Sequence, residues 1–140
     1  MRVAAVLFVL ALTRAIAGAA QAPARTVWDG VYSEEQKKRG EQLYTDQCQS
    51  CHGTALEGGE MAPPLAGGTF NSNWTGLTMG DLLERVRISM PASSPGSLSR
   101  QQCADILSYM LSVGGFPAGK ADLPRETDVL KEIKFLAMKP

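Results

Sequence analysis

Cys48-Gln49-Ser50-Cys51-His52 is the stretch on which the fold turns. Two cysteines two residues apart and followed at once by histidine form the C-x-x-C-H string of covalent c-type haem attachment. Near the end of a helix, two thiols at this spacing can add to the two vinyl groups of one haem, while His52 is carried beneath the iron. A Cys48–Cys51 disulfide or a zinc site competes for the same cysteines. Zinc needs four nitrogen or sulfur ligands, and His52 is the only histidine in the chain. The odd cysteine, Cys103, falls on an apolar helix face and reads as buried filler rather than as a redox thiol or a dimer disulfide.

On the N-terminal side, Ser33-Glu34-Glu35-Gln36 is a capping box that predicts a helix running toward Cys48. Gly40, Leu43, Tyr44 and Gln47 fall at helical spacing along it. Gly40 is bare enough to admit a second helix, with Tyr44 one turn further on the same face. The charges Glu34-Glu35 and Lys37-Lys38-Arg39 fit a solvated face with some pairing. On the C-terminal side, Gly53 to Gly68 is rich in glycine and proline, which predicts a loop with no regular helix or strand. So long a loop is uncommon in a small domain unless it packs on something, and a haem face would serve.

Thr78-Met79-Gly80-Asp81, followed by Leu82, Leu83, Val86 and Ile88, predicts a second helix. It stops near Met90, because Pro91 disfavours helical geometry in the residue before it. A loop over 92–97 leads to a third helix capped by Ser99-Arg100-Gln101-Gln102, carrying Cys103, Ile106, Leu107, Met110 and Leu111 and ending at Gly114-Gly115. Val129, Leu130, Ile133 and Leu136 have helical spacing, so a shorter tail helix is expected within Asp122 to Leu136. No strand pattern competes. The expected fold is all-α, with three core helices around one haem and a C-terminal extension helix.

The sixth iron position decides between binding small molecules and changing oxidation state. A second histidine is not available, so methionine leads. Met61 lies in the loop expected on the proximal side, Met79 opens a helix, Met110 sits on an apolar stripe and Met138 is near the chain end. Any single methionine is by default adaptable core filler. Met90 differs, standing at a proline-terminated helix exit before a loop long enough to hold it over the far haem face. Met61, or no protein ligand, remain the alternatives.

Met1-Arg2, the apolar run Val3 to Leu12 and the small residues Ala15 to Ala22 read as a secretory signal peptide over 1–20, cleaved between about 17 and 22. As a membrane anchor the run is too short, since a span needs about 20 apolar residues. Removing Arg2 and Arg14 from the 14 basic residues leaves 12 against 14 acidic ones, which gives nucleic-acid binding no support. The expected divisions are a lead-in over 21–32, a haem-binding domain over 33–113 and an extension over 114–140. The expected location is the periplasm, with no membrane association after cleavage.

Taken together these residues resemble the class I c-type cytochrome family over about residues 33 to 113. The match is carried by Gly40, Tyr44, the haem string, Pro63-Pro64-Leu65-Ala66-Gly67, Trp74, Met90-Pro91 and the Leu98-Ser99 helix with Tyr109. The resemblance implies that Gly40 and Tyr44 cross Tyr109, that the Pro63 carbonyl meets the second ring nitrogen of His52, and that Leu65 packs on the haem ring. It also implies that the Trp74 indole reaches a haem propionate, against the alternative of a plain core tryptophan. The cofactor-binding set is then Cys48, Cys51, His52, Pro63, Leu65, Trp74 and Met90, with His52 and Met90 on the iron of a single haem c. Val27-Trp28-Asp29-Gly30-Val31-Tyr32, the segment Gly58 to Leu65 and Gly115 to Gly119 look further like small cytochromes associated with quinoprotein (pyrroloquinoline quinone) alcohol dehydrogenases. That likeness implies a periplasmic dehydrogenase as electron donor and an oxidase or another cytochrome as acceptor. Trp28 and Tyr32 either cover the body or form a docking patch.

The expected function is single-electron transfer between periplasmic redox partners, with no catalytic residue and no enzymatic activity. One rival is a small-ligand-binding protein or enzyme with an open sixth position, which usually needs distal acid–base groups that a one-histidine chain scarcely offers. The other is a fixed subunit of a larger dehydrogenase.

Overall fold

Ser33 begins the first described helix because its hydroxyl accepts from the Gln36 N–H at 3.0 Å, closing one of the free donors of the helix start. The structure is a computed structural model and describes residues 24–140. The expected signal peptide, its cleavage site and the first residues of the lead-in lie outside that range. In chain order the elements are β1 (Arg25–Thr26), α1 (Glu34–Gln47), α2 (Gln49–His52), α3 (Gly67–Trp74), α4 (Met79–Ser89), α5 (Arg100–Val113), α6 (Thr127–Leu130) and β2 (Ile133–Lys134).

α1, α4 and α5 fall where their sequence signals put them. The capping boxes Thr78/Asp81 and Ser99/Gln102 are both reciprocal. At α1 only half of the box forms, because the Gln36 side chain is used elsewhere. Its amide donates to the Leu123 carbonyl at 3.0 Å and accepts from the Leu123 N–H at 2.5 Å, tying α1 to the extension. Ser33 Oγ and Arg39 both reach Asp122, and Arg39 also holds the buried Asp105 carboxylate of α5. α1 crosses α5 at Gly40, where a methyl group would overlap the Asp105 carbonyl, and Tyr44 meets Tyr109 with ring centroids 5.3 Å apart.

Three further expectations need correction. The loop after the haem string ends at Ala66, and α3 follows although Gly67-Gly68 opens it. Its helical turn is held by packing, Phe70 lying against Trp74 and Phe135. The extension is not one helix over Asp122 to Leu136. After the single turn of α6, Ile133 and Phe135 turn inward and Lys134 outward, a period of two rather than 3.6, and Val129 stays 41% exposed. Strands therefore exist: β2 pairs parallel with β1, Arg25 opposite Ile133 and Thr26 opposite Lys134.

The described lead-in and the extension share one core with the helices. Tyr32 is buried and its hydroxyl donates to the Phe116 carbonyl at 2.7 Å. Trp28 packs edge-on against Phe116 and donates its indole N–H to the Leu136 carbonyl at 2.9 Å. Both aromatics thus cover the body. Leu123, Leu130, Ile133 and Phe135 are buried as fully as Leu107 of α5. Among the described residues no helix is long and apolar enough to cross a membrane.

Candidate functional site

The haem string sits where two helices meet. Cys48 ends α1, its N–H bonded to the Tyr44 carbonyl at 2.9 Å, and its own carbonyl accepts from the N–H groups of Cys51 and His52. That second set of bonds makes α2 a separate turn and puts His52 at its end. The string is followed at once by Gly53, whose φ of +82° lets the chain leave the helix sharply. The Gly53 carbonyl accepts from the Tyr44 hydroxyl at 2.7 Å, so the N-terminal helix grips the residue next to His52. Burial pushes the phenol of Tyr44 well above the usual range, so it remains a donor.

His52 is 6% exposed, and its Nδ1 lies 2.8 Å from the Pro63 carbonyl oxygen. A carbonyl only accepts, so Nδ1 carries the proton and Nε2 carries the lone pair. This is the tautomer of a histidine that ligates a metal through Nε2. The loop that brings Pro63 there is closed by further bonds, from Gly58 N–H to the His52 carbonyl at 2.8 Å and from Leu65 N–H to the Leu56 carbonyl at 2.9 Å. Leu56 is fully buried with a φ of +61°, a left-handed position that a leucine holds only when its surroundings dictate it.

Cys48, Cys51 and Cys103 are all unpaired thiols, Cys51 exposed and Cys103 buried. Burial pushes the Cys48 thiol up to about 11, with the nearby Cys103 and Cys51 adding to the effect. Among the described residues no cluster of histidine, cysteine and carboxylates could hold a bare metal ion.

Leu65 lines an apolar pocket with Ala66, Phe70, Leu82, Leu107 and Met110. Asn71 enters the same pocket, and its Oδ1 is a buried polar atom without a partner. Sequence reasoning missed Asn71, which carries no motif signal and is placed only by α3. Trp74 lies at the end of α3, half buried against Phe70, and its ring reaches Phe70 rather than a polar group of the chain. Met90 is the extended C-cap of α4, half buried, with its N–H bonded to the Val86 carbonyl at 2.9 Å. Of the other methionines, Met79 and Met110 are buried in the core, whereas Met61 is 85% exposed and Met138 is also exposed. The structure therefore brings His52, Pro63 and the string together and leaves Met90 on the separate segment between α4 and α5. The donor set fits a haem: two unpaired thiols two residues apart and, next to them, a histidine whose Nδ1 is held by the Pro63 carbonyl, leaving Nε2 for a metal.

Residues 35–110 match the model of the family described as cytochrome c oxidase, cbb3-type, subunit III. Among solved structures, a chain of the sulfane dehydrogenase SoxCD from Paracoccus pantotrophus is similar, at 23% identity and a TM-score of 0.51. The alignment covers 77% of this chain and 61% of that one, so less than two thirds of the neighbour is spanned, and the likeness concerns fold alone. No curated protein matches. The all-α arrangement around the string is the cytochrome c fold.

Proposed function

Because the chain belongs to the cytochrome c oxidase, cbb3-type, subunit III family, and so is a c-type cytochrome with a haem-based electron-transfer role, we propose that it is a periplasmic one-electron carrier holding a single haem c. Cys48 and Cys51 attach the haem, and His52 and Met90 ligate its iron. The observation that carries this reading is the 2.8 Å contact of His52 Nδ1 with the Pro63 carbonyl, which leaves Nε2 free to ligate. The bound haem supplies the reversible one-electron couple, and thioether ligation opposite histidine raises its potential. The chain contributes the rest. Pro63 fixes the imidazole and increases its basicity, Leu65 and Phe70 keep water away on one side, and Met90 closes the sixth position.

An electron carrier needs no acid–base machinery, and in this reading the Nε2 lone pair of His52 is taken up by the iron while its Nδ1 proton is held by Pro63. The protein is accordingly proposed not to be an enzyme. The donor is proposed to be a periplasmic dehydrogenase, a quinoprotein alcohol dehydrogenase by the likeness of residues 27–32, 58–65 and 115–119. The acceptor is an oxidase or another cytochrome. The extension packs Leu123, Leu130, Ile133 and Phe135 into the chain's own core, which supports a carrier that stands by itself over a fixed subunit of a larger enzyme.

The test is the optical spectrum of purified wild type and Met90→Ala in both oxidation states. A weak near-infrared band of a methionine–ferric bond, present in wild type and lost in Met90→Ala, is the expected result. Its persistence in the variant would reassign the ligand, and its absence from wild type would favour an open iron.

A further inference from the structure

The hydrogen bond that orients His52 depends on a glycine outside the haem string. We infer that Gly58 is a positioning residue for the proximal histidine, because only a bare Cα there lets the Pro63 carbonyl reach the imidazole. The inference rests on the proposed role of His52 as iron ligand.

Three contacts close a ring. The Gly58 N–H donates to the His52 carbonyl at 2.8 Å. A Cβ at Gly58 would lie 2.5 Å from Pro64 N, 2.7 Å from the Pro63 carbonyl carbon and 2.9 Å from Ala62 O. The Pro63 oxygen, 2.8 Å from His52 Nδ1, completes it. All three atoms that a Cβ would strike are backbone, so none can rotate aside as a side chain would, and the Ala62–Pro64 segment has to move as a unit. That segment carries the carbonyl that receives the imidazole proton. The adjacent Gly59 shows the contrast: its N–H bonds to Ala62 O at 2.9 Å, yet nothing lies within 4 Å of a Cβ built on it.

Moving Pro63 lengthens the bond from Nδ1–H, and the imidazole becomes a weaker donor to the iron. The ferric form relies more on that donation than the ferrous form does. A looser bond therefore favours the reduced state, by up to about tenfold if one hydrogen bond is lost, or about 59 mV for a one-electron couple.

The test uses the holoprotein and three variants: Gly58→Ala, Gly58→Asn and Gly59→Ala. Asparagine tolerates the φ of +75° at Gly58 while still carrying a Cβ, so it separates the steric effect from backbone strain should Gly58→Ala not mature. Covalent haem content is read first from the alkaline pyridine spectrum. Potential and the exchange rate of the His52 Nδ1 proton in the ferrous protein follow. The expected result is a raised potential and faster exchange in both Gly58 variants, with Gly59→Ala unchanged. Unmoved potential and exchange in the Gly58 variants, or an equal shift in Gly59→Ala, overturns the inference. Wild type without covalent haem overturns the reading of the site, and the inference falls with it.

Discussion

At the residue scale, the turn at His52 is held by single hydrogen bonds, from the Tyr44 hydroxyl to the Gly53 carbonyl and between His52 Nδ1 and the Pro63 carbonyl, so single deletions have predictable effects. Tyr44→Phe keeps the ring against Tyr109 and removes only the hydroxyl that donates to Gly53 at 2.7 Å. The Gly53 carbonyl loses its donor beside the haem string. Urea unfolding should show a loss of about 1 kcal/mol, the usual net contribution of one intramolecular hydrogen bond. A change below about 0.3 kcal/mol would mean that water replaces the hydroxyl. The haem string and the exit of Met90 were legible because their chemistry is fixed by neighbouring residues. Pro63 was reached through family resemblance, and Gly58 and Asn71 were not reached at all. Gly58 lies against the Ala62–Pro64 backbone and Asn71 lines a pocket with Leu65, placements that come from the fold and that no local pattern records.

At the element scale, the crossing of α1 and α5 sets two effects against each other. Replacing Gly40 by alanine gains about 0.5–1 kcal/mol of helix propensity. The new methyl, however, overlaps the Asp105 carbonyl and crowds Tyr109 Cβ at 3.1 Å. Overpacking of a close crossing costs about 1–3 kcal/mol or more, so Gly40→Ala should destabilise. Gly68→Ala in α3 is the counterpart, since a Cβ there meets nothing within 4 Å, and it should stabilise by about 0.5 kcal/mol. Thermal unfolding of the two variants should move in opposite directions, and a gain from Gly40→Ala would show that the crossing has slack.

The same scale separates what sequence reveals from what it hides. α4 and α5 announce themselves by reciprocal capping boxes followed by apolar residues at helical spacing. α3 does not, because Gly67, Gly68, Thr69, Asn71, Ser72 and Asn73 are poor helix formers and only the burial of Phe70 holds the turn. β1 and β2 are two residues each, too short for alternation to register, and they meet across more than 100 residues of chain. Gln36 was assigned to the helix cap because its distant partner, Leu123, was invisible.

At the scale of the whole molecule, the extension is fastened to the domain by polar clusters that depend on ionised carboxylates. Glu84 of α4 accepts from Arg87, from Arg100 of α5 at 2.8 Å and from Thr127 of α6 at 2.5 Å. These hydrogen bonds, Arg87 first, hold its carboxyl down to about 2. Asp122 is likewise held low, chiefly by Ser33 and then by Arg39. For a carboxylate whose folded-state pKa is depressed, the stabilisation is fully present above the unfolded value and is lost as pH falls toward the folded one. For Glu84 that window runs from about 4.5 down to about 2. Its side chain is 30% exposed, so solvent screening reduces the contribution to about 1 kcal/mol. Glu84→Gln should therefore be less stable than wild type by about 1 kcal/mol at pH 7, with the difference shrinking through pH 4 and vanishing near pH 2. Urea titrations of both proteins across that range measure it directly. A difference that stays constant with pH would assign the contribution of Glu84 to packing against Thr127 rather than to its charge.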